Sequence, residues 1–224
     1  MSQSFSALLD LGALGIVVAG TVLATVARCG WQDFGAALRA AGRLLKRGFQ
    51  HDANRRALAL AVSAVERDGH RRADPALPPD RALGMMLETY LRHGTLEALG
   101  HSRRSERALD EARRVSAAQV FGWAGELAPV FGLIGTLYGF TQLTPHPDAT
   151  TTTTIMAAIS TAVLTSLYGA LIAHLVCYPL AGAIERRGNN DEREREALTE
   201  WFTAQIERAD PGAQGRRAHL RGVT

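Results

Sequence analysis

The stretch GELAPVFGLIGTLYGFTQL, Gly125 to Leu143, sets Pro129 and Thr136 into an otherwise oily run. It lies inside a much longer stretch with no positive charge: from Val115 to Glu185 there is no lysine or arginine, and the only acids are Glu126, Asp148 and Glu185. All 25 basic residues of the 224-residue chain fall between Arg28 and Arg114 or from Arg186 onward, so the mild net charge of +3 hides two long blocks without a base. A soluble domain seldom withholds every basic residue for 71 positions, whereas the interior of a bilayer requires it. A buried helical hairpin of a soluble protein is the competing reading.

Three segments have the length of a membrane span, for which about 20 apolar residues are needed. The first, Leu8 to Cys29, has Asp10 at one edge and Arg28 at the other. The second is Leu127 to Leu143, extended inward by Gly122 to Glu126. The third, Thr151 to Ile184, is long enough to cross and continue beyond the bilayer. A cleaved signal peptide fits the first poorly, because its leading region holds an acid and no base and the positive charges come after the apolar run.

Orientation follows from the bases. Arg28, Arg39, Arg43, Lys46 and Arg47 follow the first span, Arg113 and Arg114 precede the second, and Arg186 and Arg187 follow the third. Residues 1–10 and the connection TPHPDAT carry none. The positive-inside rule then puts the N-terminus and that connection outside and the C-terminus in the cytoplasm. The expected fold is all-α: three transmembrane helices, N-out and C-in, with a helical cytoplasmic domain. Expected segments are an N-terminal span (1–29), a cytoplasmic helical domain (30–119), a pore-lining hairpin (120–184) and a C-terminal amphipathic helix and tail (185–224).

In the cytoplasmic part, DFGAALRAAGRLLKRGF and ANRRALALAVSAVERDG repeat apolar residues at three- and four-residue spacing with basic ones between, as amphipathic helices lying against a bundle or the headgroups do. Pro75, Pro78 and Pro79 mark a break, after which Asp80 is placed to cap RALGMMLETYLRHG. A charged helix from Glu97 or Ser102 leads towards Phe121. Near the C-terminus Leu198, Trp201 or Phe202, and Gln205 or Ile206 share one face, which predicts a helix packed on a neighbour.

Enzyme chemistry is not visible. No Cys or His cluster has metal-ligand spacing, and Cys29 and Cys177 lie at cytoplasmic ends of spans, where disulfides are disfavoured. His51, His70, His93 and His101 stand scattered in polar contexts. Arg71–Arg72 and Arg103–Arg104 lack interleaved aromatics, which argues against nucleic acid.

The spans are more informative. Pro129, Gly132 or Leu133, Thr136 and Phe140 fall along one helical stripe, and Pro129 removes a backbone donor. Gly122, Gly125, Gly132, Gly135 and Gly139 permit close approach of another helix. In the third span Thr161, Thr165, Tyr168 and Ile172 share one face, and Ser166, Ala170 and Cys177 a second. Hydroxyl stripes of this kind are able to line a narrow wet path, although each hydroxyl can equally satisfy its own helix carbonyl. No ionisable group sits near mid-membrane, so if the chain conducts protons or sodium, a partner supplies the carboxylate.

At these residues the sequence resembles a known family. GELAPVFGLIGTLYGF, followed by IMAAISTAVLTSLYGALIAHLVCYPLAGAIERR, is similar to the MotA/TolQ/ExbB family of ion-channel proteins, most of all to its flagellar stator branch. The resemblance implies a bacterial inner-membrane, multi-pass, non-enzymatic subunit. It implies five copies around a dimer of a MotB/ExbD-like single-span protein whose aspartate carries the ion. It implies transported H⁺ or Na⁺ as cargo, with no resident cofactor or metal. Pro129 and Pro179 match the two family prolines that gate helix movement. Thr136 matches a threonine of the sodium-driven type, Ser166 stands where a hydroxyl lines the path with Thr165 beside it, and Thr161 lies on the same helix. Arg81 and Glu88 are the nearest candidates for contact with a rotor switch protein. The stator branch normally has one more span before the first seen here, which leaves a TolQ/ExbB-like envelope energiser, or a non-conducting scaffold, as alternatives to a flagellar stator.

Overall fold

A computed structural model describes residues 10–45, 48–141 and 152–209. The expected outer connection with Asp148, the bases Lys46 and Arg47, and positions 210–224 lie outside them. The described residues form helices: α1 Leu11–Cys29, α2 Trp31–Leu44, α3 His51–Asp68, α4 Arg81–His93, α5 Leu96–Thr141, α6 Thr152–Leu171, a π-helical turn Ile172–Cys177, and α7 Tyr178–Ala209. Three helical stretches are long and apolar enough to cross a membrane: Leu11–Cys29, Arg103–Thr141 and Ile155–Ala209. The second expected span is the C-terminal part of one 46-residue helix, about 69 Å long at the usual rise.

The chain divides into two compact units, one of residues 1–43 and 114–185, the other of 44–113 and 186–224. These units group the expected segments differently, because the C-terminal helix shares a unit with the middle region.

In the first unit, α1 starts at Asp10, whose carboxylate accepts from the backbone N–H groups of Gly12 and Ala13 at 2.9 and 3.1 Å. Such a cap satisfies donors that a helix start leaves bare. Ala13 and Val17 bury against Leu164 and Tyr168 of α6, with Leu14, Phe131 and Ile172 alongside. Gly20 leaves room for the Phe131 ring, which a Cβ at position 20 would strike. Arg28 pairs with Glu126 at 3.2 Å and lies 4.9 Å from the centre of the Trp123 ring, so the charged end of α1 meets the charged edge of α5's apolar run.

The second unit has a soluble-type core. Leu58, Ala61, Val62 and Val65 of α3 meet Leu83, Met86, Leu87 and Tyr90 of α4 and Leu198, Phe202 and Ile206 of α7. The expected face of the C-terminal helix is thus the face that is buried. Tyr90 and Phe202 meet edge to face with ring centres 6.0 Å apart, an arrangement that adds to simple area burial. Asp80 caps α4 through the N–H groups of Ala82 and Leu83, both at 3.1 Å. Its own N–H donates to buried Asn54 at 2.9 Å. Arg195 holds the same carboxylate with contacts of 2.9–3.1 Å. Burial pulls the Arg195 guanidinium down, but its hydrogen bonds to Asp80 and the charges of Asp80, Glu192 and Asp110 outweigh it, leaving the group above its ordinary value. At the end of α4, Gly94 adopts φ 68° and its N–H donates to the Tyr90 carbonyl, a left-handed cap that favours glycine.

Candidate ion pathway

The candidate residues sit where α5 and α6 form an unusually close hairpin. A Cβ at Gly132 would lie 2.9 Å from the Thr165 carbonyl oxygen and 3.3 Å from the Ser166 Cα. One at Gly169 would lie 2.6 Å from the Ala128 carbonyl oxygen and 3.1 Å from the Pro129 Cα. Further along, Gly135 faces the Thr165 side chain and Gly139 faces Ala158 and Ala162, while Gly125 meets the Tyr178 ring. Lipid gives little hydrophobic drive for helices to associate, so contact of this kind rests on dispersion between closely approaching backbones.

That packing brings Pro129, Thr165 and Ser166 together around the Gly132–Gly169 contact. Pro129 has no N–H to offer the Gly125 carbonyl, so the ladder is weakened one turn below the closest approach. Thr165 is buried, fills the notch at Gly135, and donates its hydroxyl to the Ala162 carbonyl at 2.8 Å. Ser166 is partly exposed, and Ala170, one turn on, is exposed. Thr136 is also partly exposed, among the exposed side chains Leu133, Leu137 and Phe140, and donates to the Leu133 carbonyl at 2.6 Å.

Thr161 is held elsewhere. Its hydroxyl points to the Asp10 carboxylate at 3.4 Å, and the Asp10 N–H donates to the Tyr168 hydroxyl at 3.0 Å. The shared face of Thr161, Thr165 and Tyr168 is therefore turned into the unit, towards α1 and α5. The Thr136 stripe and the Ser166–Ala170 side keep open surface.

The hydroxyl chemistry suits a path for small cations. A threonine that donates its proton to a carbonyl of its own helix leaves both oxygen lone pairs free. Those lone pairs are what a dehydrating cation, or a water chain carrying protons, requires. Among the described residues from Val115 to Glu185, the ionisable side chains of the usual carboxylate and imidazole types are Glu126, His174 and Glu185, so the middle of the hairpin has no fixed charge.

Two features were missed in the sequence. Asp10 joins α1 to α6, and its signal was an acid directly before an apolar run, a helix-start pattern. The π-helical turn Ile172–Cys177, with the Tyr178 N–H bonded to the Ala173 carbonyl, had a signal in Pro179. Proline cannot bond the Leu175 carbonyl and its ring crowds that oxygen, so a locally widened helix relieves the conflict. His174 lies in this turn with its ring centre 5.4 Å from that of Tyr178.

Arg81 and Glu88 both project from exposed positions on α4. Seven residues apart, they share a side of the helix opposite the buried Leu83, Leu87 and Tyr90. Glu88 also pairs with Arg92 at 3.3 Å.

A sequence model of the MotA/TolQ/ExbB proton channel family matches residues 80–197, just over half of the chain. The chemotaxis protein PomA of Vibrio alginolyticus is 31% identical over 97 residues, 43% of this chain and 38% of that protein. YtxD of Bacillus subtilis is 29% identical over 145 residues, 59% of this chain and 51% of YtxD. Motility protein A of B. subtilis is 28% identical over 101 residues, 45% of this chain and 37% of that protein. The chain thus spans about half, or less, of the length of these relatives. Among solved structures, C. jejuni MotAB superposes with a TM-score of 0.74 at 18% identity, over 91% of this chain and 80% of that one. The flagellar MotAB stator complex from B. subtilis gives 0.74 at 21% identity, over 99% and 91%. At such identities the likeness is one of fold.

Proposed function

The chain belongs to the MotA/TolQ/ExbB proton channel family, a multi-pass membrane family of channels and not of enzymes, and from that premise we propose that it is an ion-channel subunit of a MotA-like stator. Five copies surround a dimer of a MotB/ExbD-like single-span protein, with the N-terminus outside and the C-terminus in the cytoplasm. The partner's membrane aspartate carries H⁺ or Na⁺, and its outer domain anchors to peptidoglycan. Ion flow turns the ring of five, and the load is the flagellar rotor, met through Arg81 and Glu88.

One observation carries this reading: the hairpin packs through glycine contacts and leaves the hydroxyl-bearing Thr136 and Ser166 partly exposed, with no fixed charge beside them among the described residues. Thr136 and Ser166 supply oxygen to the passing ion. Thr165 and Thr161, turned into the unit, hold the wall from behind. Neutralisation of the partner's aspartate changes the field at Pro129, where the helix ladder lacks a bond, and the Pro179 turn lets the far end of α6 follow. The structural likeness to two MotAB assemblies supports the same arrangement.

The test is the identity of what co-purifies with the full-length chain. A single-span protein with a membrane aspartate and an envelope-binding domain, in a ratio near two to five, is the expected result. A homogeneous assembly that conducts with no such protein, or a partner without a membrane carboxylate, overturns the proposal.

A further inference from the structure

The helix after the first span carries a face that its own unit leaves uncovered. Gly30, with φ 83°, ends α1 outside helical backbone space, and α2 begins at the next residue. The whole 14-residue helix therefore starts within two residues of Cys29, where the span stops. Ala37 is its one buried residue, 1% exposed, so only a narrow side of α2 meets protein.

Trp31 and Leu38, seven residues apart and so nearly in line, are 75% and 52% exposed. The Trp31 and Phe34 rings lie 6.4 Å apart at the start of that row. Arg39 and Arg43, one turn apart, form a second exposed row about a third of a turn away. Arg28 is engaged by Glu126 and Trp123. Among the described residues neither Arg39 nor Arg43 has a carboxylate partner; the Arg39 Nε donates to the Gly35 carbonyl at 3.1 Å, which leaves its terminal nitrogens outward.

We propose that α2 is an interfacial helix that docks on anionic phospholipid headgroups, with Trp31 and Leu38 at the acyl boundary and Arg39 and Arg43 on the phosphates. An apolar row beside a cationic row is what a helix lying in the headgroup layer presents, and tryptophan favours that depth. Continuity supplies the occupant: the candidate span α1 ends at Cys29, and α2 restarts at Trp31 with no linker to carry it elsewhere. Charge supplies the anionic preference, since the exposed Arg39 and Arg43 have no carboxylate partner among the described residues and the one acid on α2, Asp33, is on another side. This inference is independent of which ion the assembly moves.

The test places the purified full-length assembly in nanodiscs of mixed phosphatidylcholine and phosphatidylglycerol, with bromine on the upper acyl chain of one lipid or the other. The emission lost in Trp31→Phe defines the Trp31 signal. Brominated lipid is expected to quench that signal, phosphatidylglycerol more strongly than phosphatidylcholine. The Arg39→Gln/Arg43→Gln variant, with unchanged subunit number, should keep the quenching and lose the preference, since each arginine near an anionic surface contributes about fivefold in affinity. Equal quenching by both lipids in the unaltered protein overturns the headgroup assignment. A Trp31 signal that neither lipid quenches, open to aqueous iodide or shielded by a second protein surface, overturns the docking itself.

Discussion

Gly169 and Ala128 are so close that a Cβ on the glycine would lie 2.6 Å from the alanine's carbonyl oxygen. The obstacle is backbone, with the Gly132 and Pro129 Cα atoms at 3.1 Å beside it, so no side-chain rotation relieves it. Gly169→Ala is expected to push α5 and α6 apart and lower the thermal stability of the detergent-purified assembly, with loss of full-size assembly on size exclusion. Gly15→Ala, with nothing within 4 Å of its Cβ, is the matched control and should cost nothing, since alanine favours the helix by about 1 kcal/mol. Equal behaviour of the two variants would contradict the close packing of the hairpin.

Thr21 makes a different prediction. It is buried on the α1 side, and among the described residues its hydroxyl is a buried side-chain oxygen without a hydrogen-bond partner. An unsatisfied hydroxyl in an apolar site costs about 1–3 kcal/mol, so Thr21→Val should keep the shape and raise the melting temperature. Neighbouring Thr25 donates to the Thr21 carbonyl at 2.7 Å and gains nothing from the same change. A drop in stability for Thr21→Val would point to a bonded hydroxyl.

In the second unit the Arg195–Asp80 pair sets the start of α4. The two side chains are 19% and 11% exposed, so removing the arginine leaves a mostly buried carboxylate with its two backbone N–H donors but without its bidentate cationic partner. Arg195→Ala is expected to cost about 3–5 kcal/mol, and Arg195→Lys to restore only part, because a single ammonium cannot match a planar fork. The sign with pH follows from the raised Arg195 value. Its contribution is complete below the ordinary arginine value and is lost only as pH rises through the higher folded one. Chemical denaturation at neutral and mildly alkaline pH should therefore show the same Arg195 contribution, and a loss in that window would contradict the assignment.

Phe202→Ala tests the soluble-type core in the same unit. The ring is fully buried and meets Tyr90 edge to face, so its removal should cost about 3–5 kcal/mol in the chemical denaturation of that unit. Trp201, which is only partly buried against the core, should tolerate truncation far better. Comparable losses for the two would place the core on the wrong side of α7.

The three apolar stretches were legible because a missing charge is read directly from the residues: no base interrupts Val115 to Glu185. The Asp80 cap and the Leu198, Phe202 and Ile206 face were legible for a related reason, since capping and soluble amphipathicity each contrast polar with apolar. Inside a membrane that contrast vanishes. Periodicity grouped Thr161, Thr165 and Tyr168 correctly on one side of the helix, yet nothing in an apolar run says which side meets protein. The partners of those residues, Asp10 and Gly135, lie far away in sequence. The π-helical turn was illegible for another reason: a proline announces a disturbed ladder but does not say whether the helix kinks or widens there.

If a hydroxyl wall built by this subunit carries an ion released by another chain's carboxylate, as proposed, Thr136 is the residue whose loss should show it. Its hydroxyl bonds only to the Leu133 carbonyl of its own helix among the contacts described, so Thr136→Val keeps the side chain's shape and should leave assembly intact. Flux through proteoliposomes holding the complex with its single-span partner is to be measured under separate proton and sodium gradients. A fall of at least about tenfold is expected for the conducted ion, the factor given by about 1.4 kcal/mol of lost coordination, with substantial recovery in Thr136→Ser. Undiminished flux in a Thr136→Val complex of unchanged composition would contradict it.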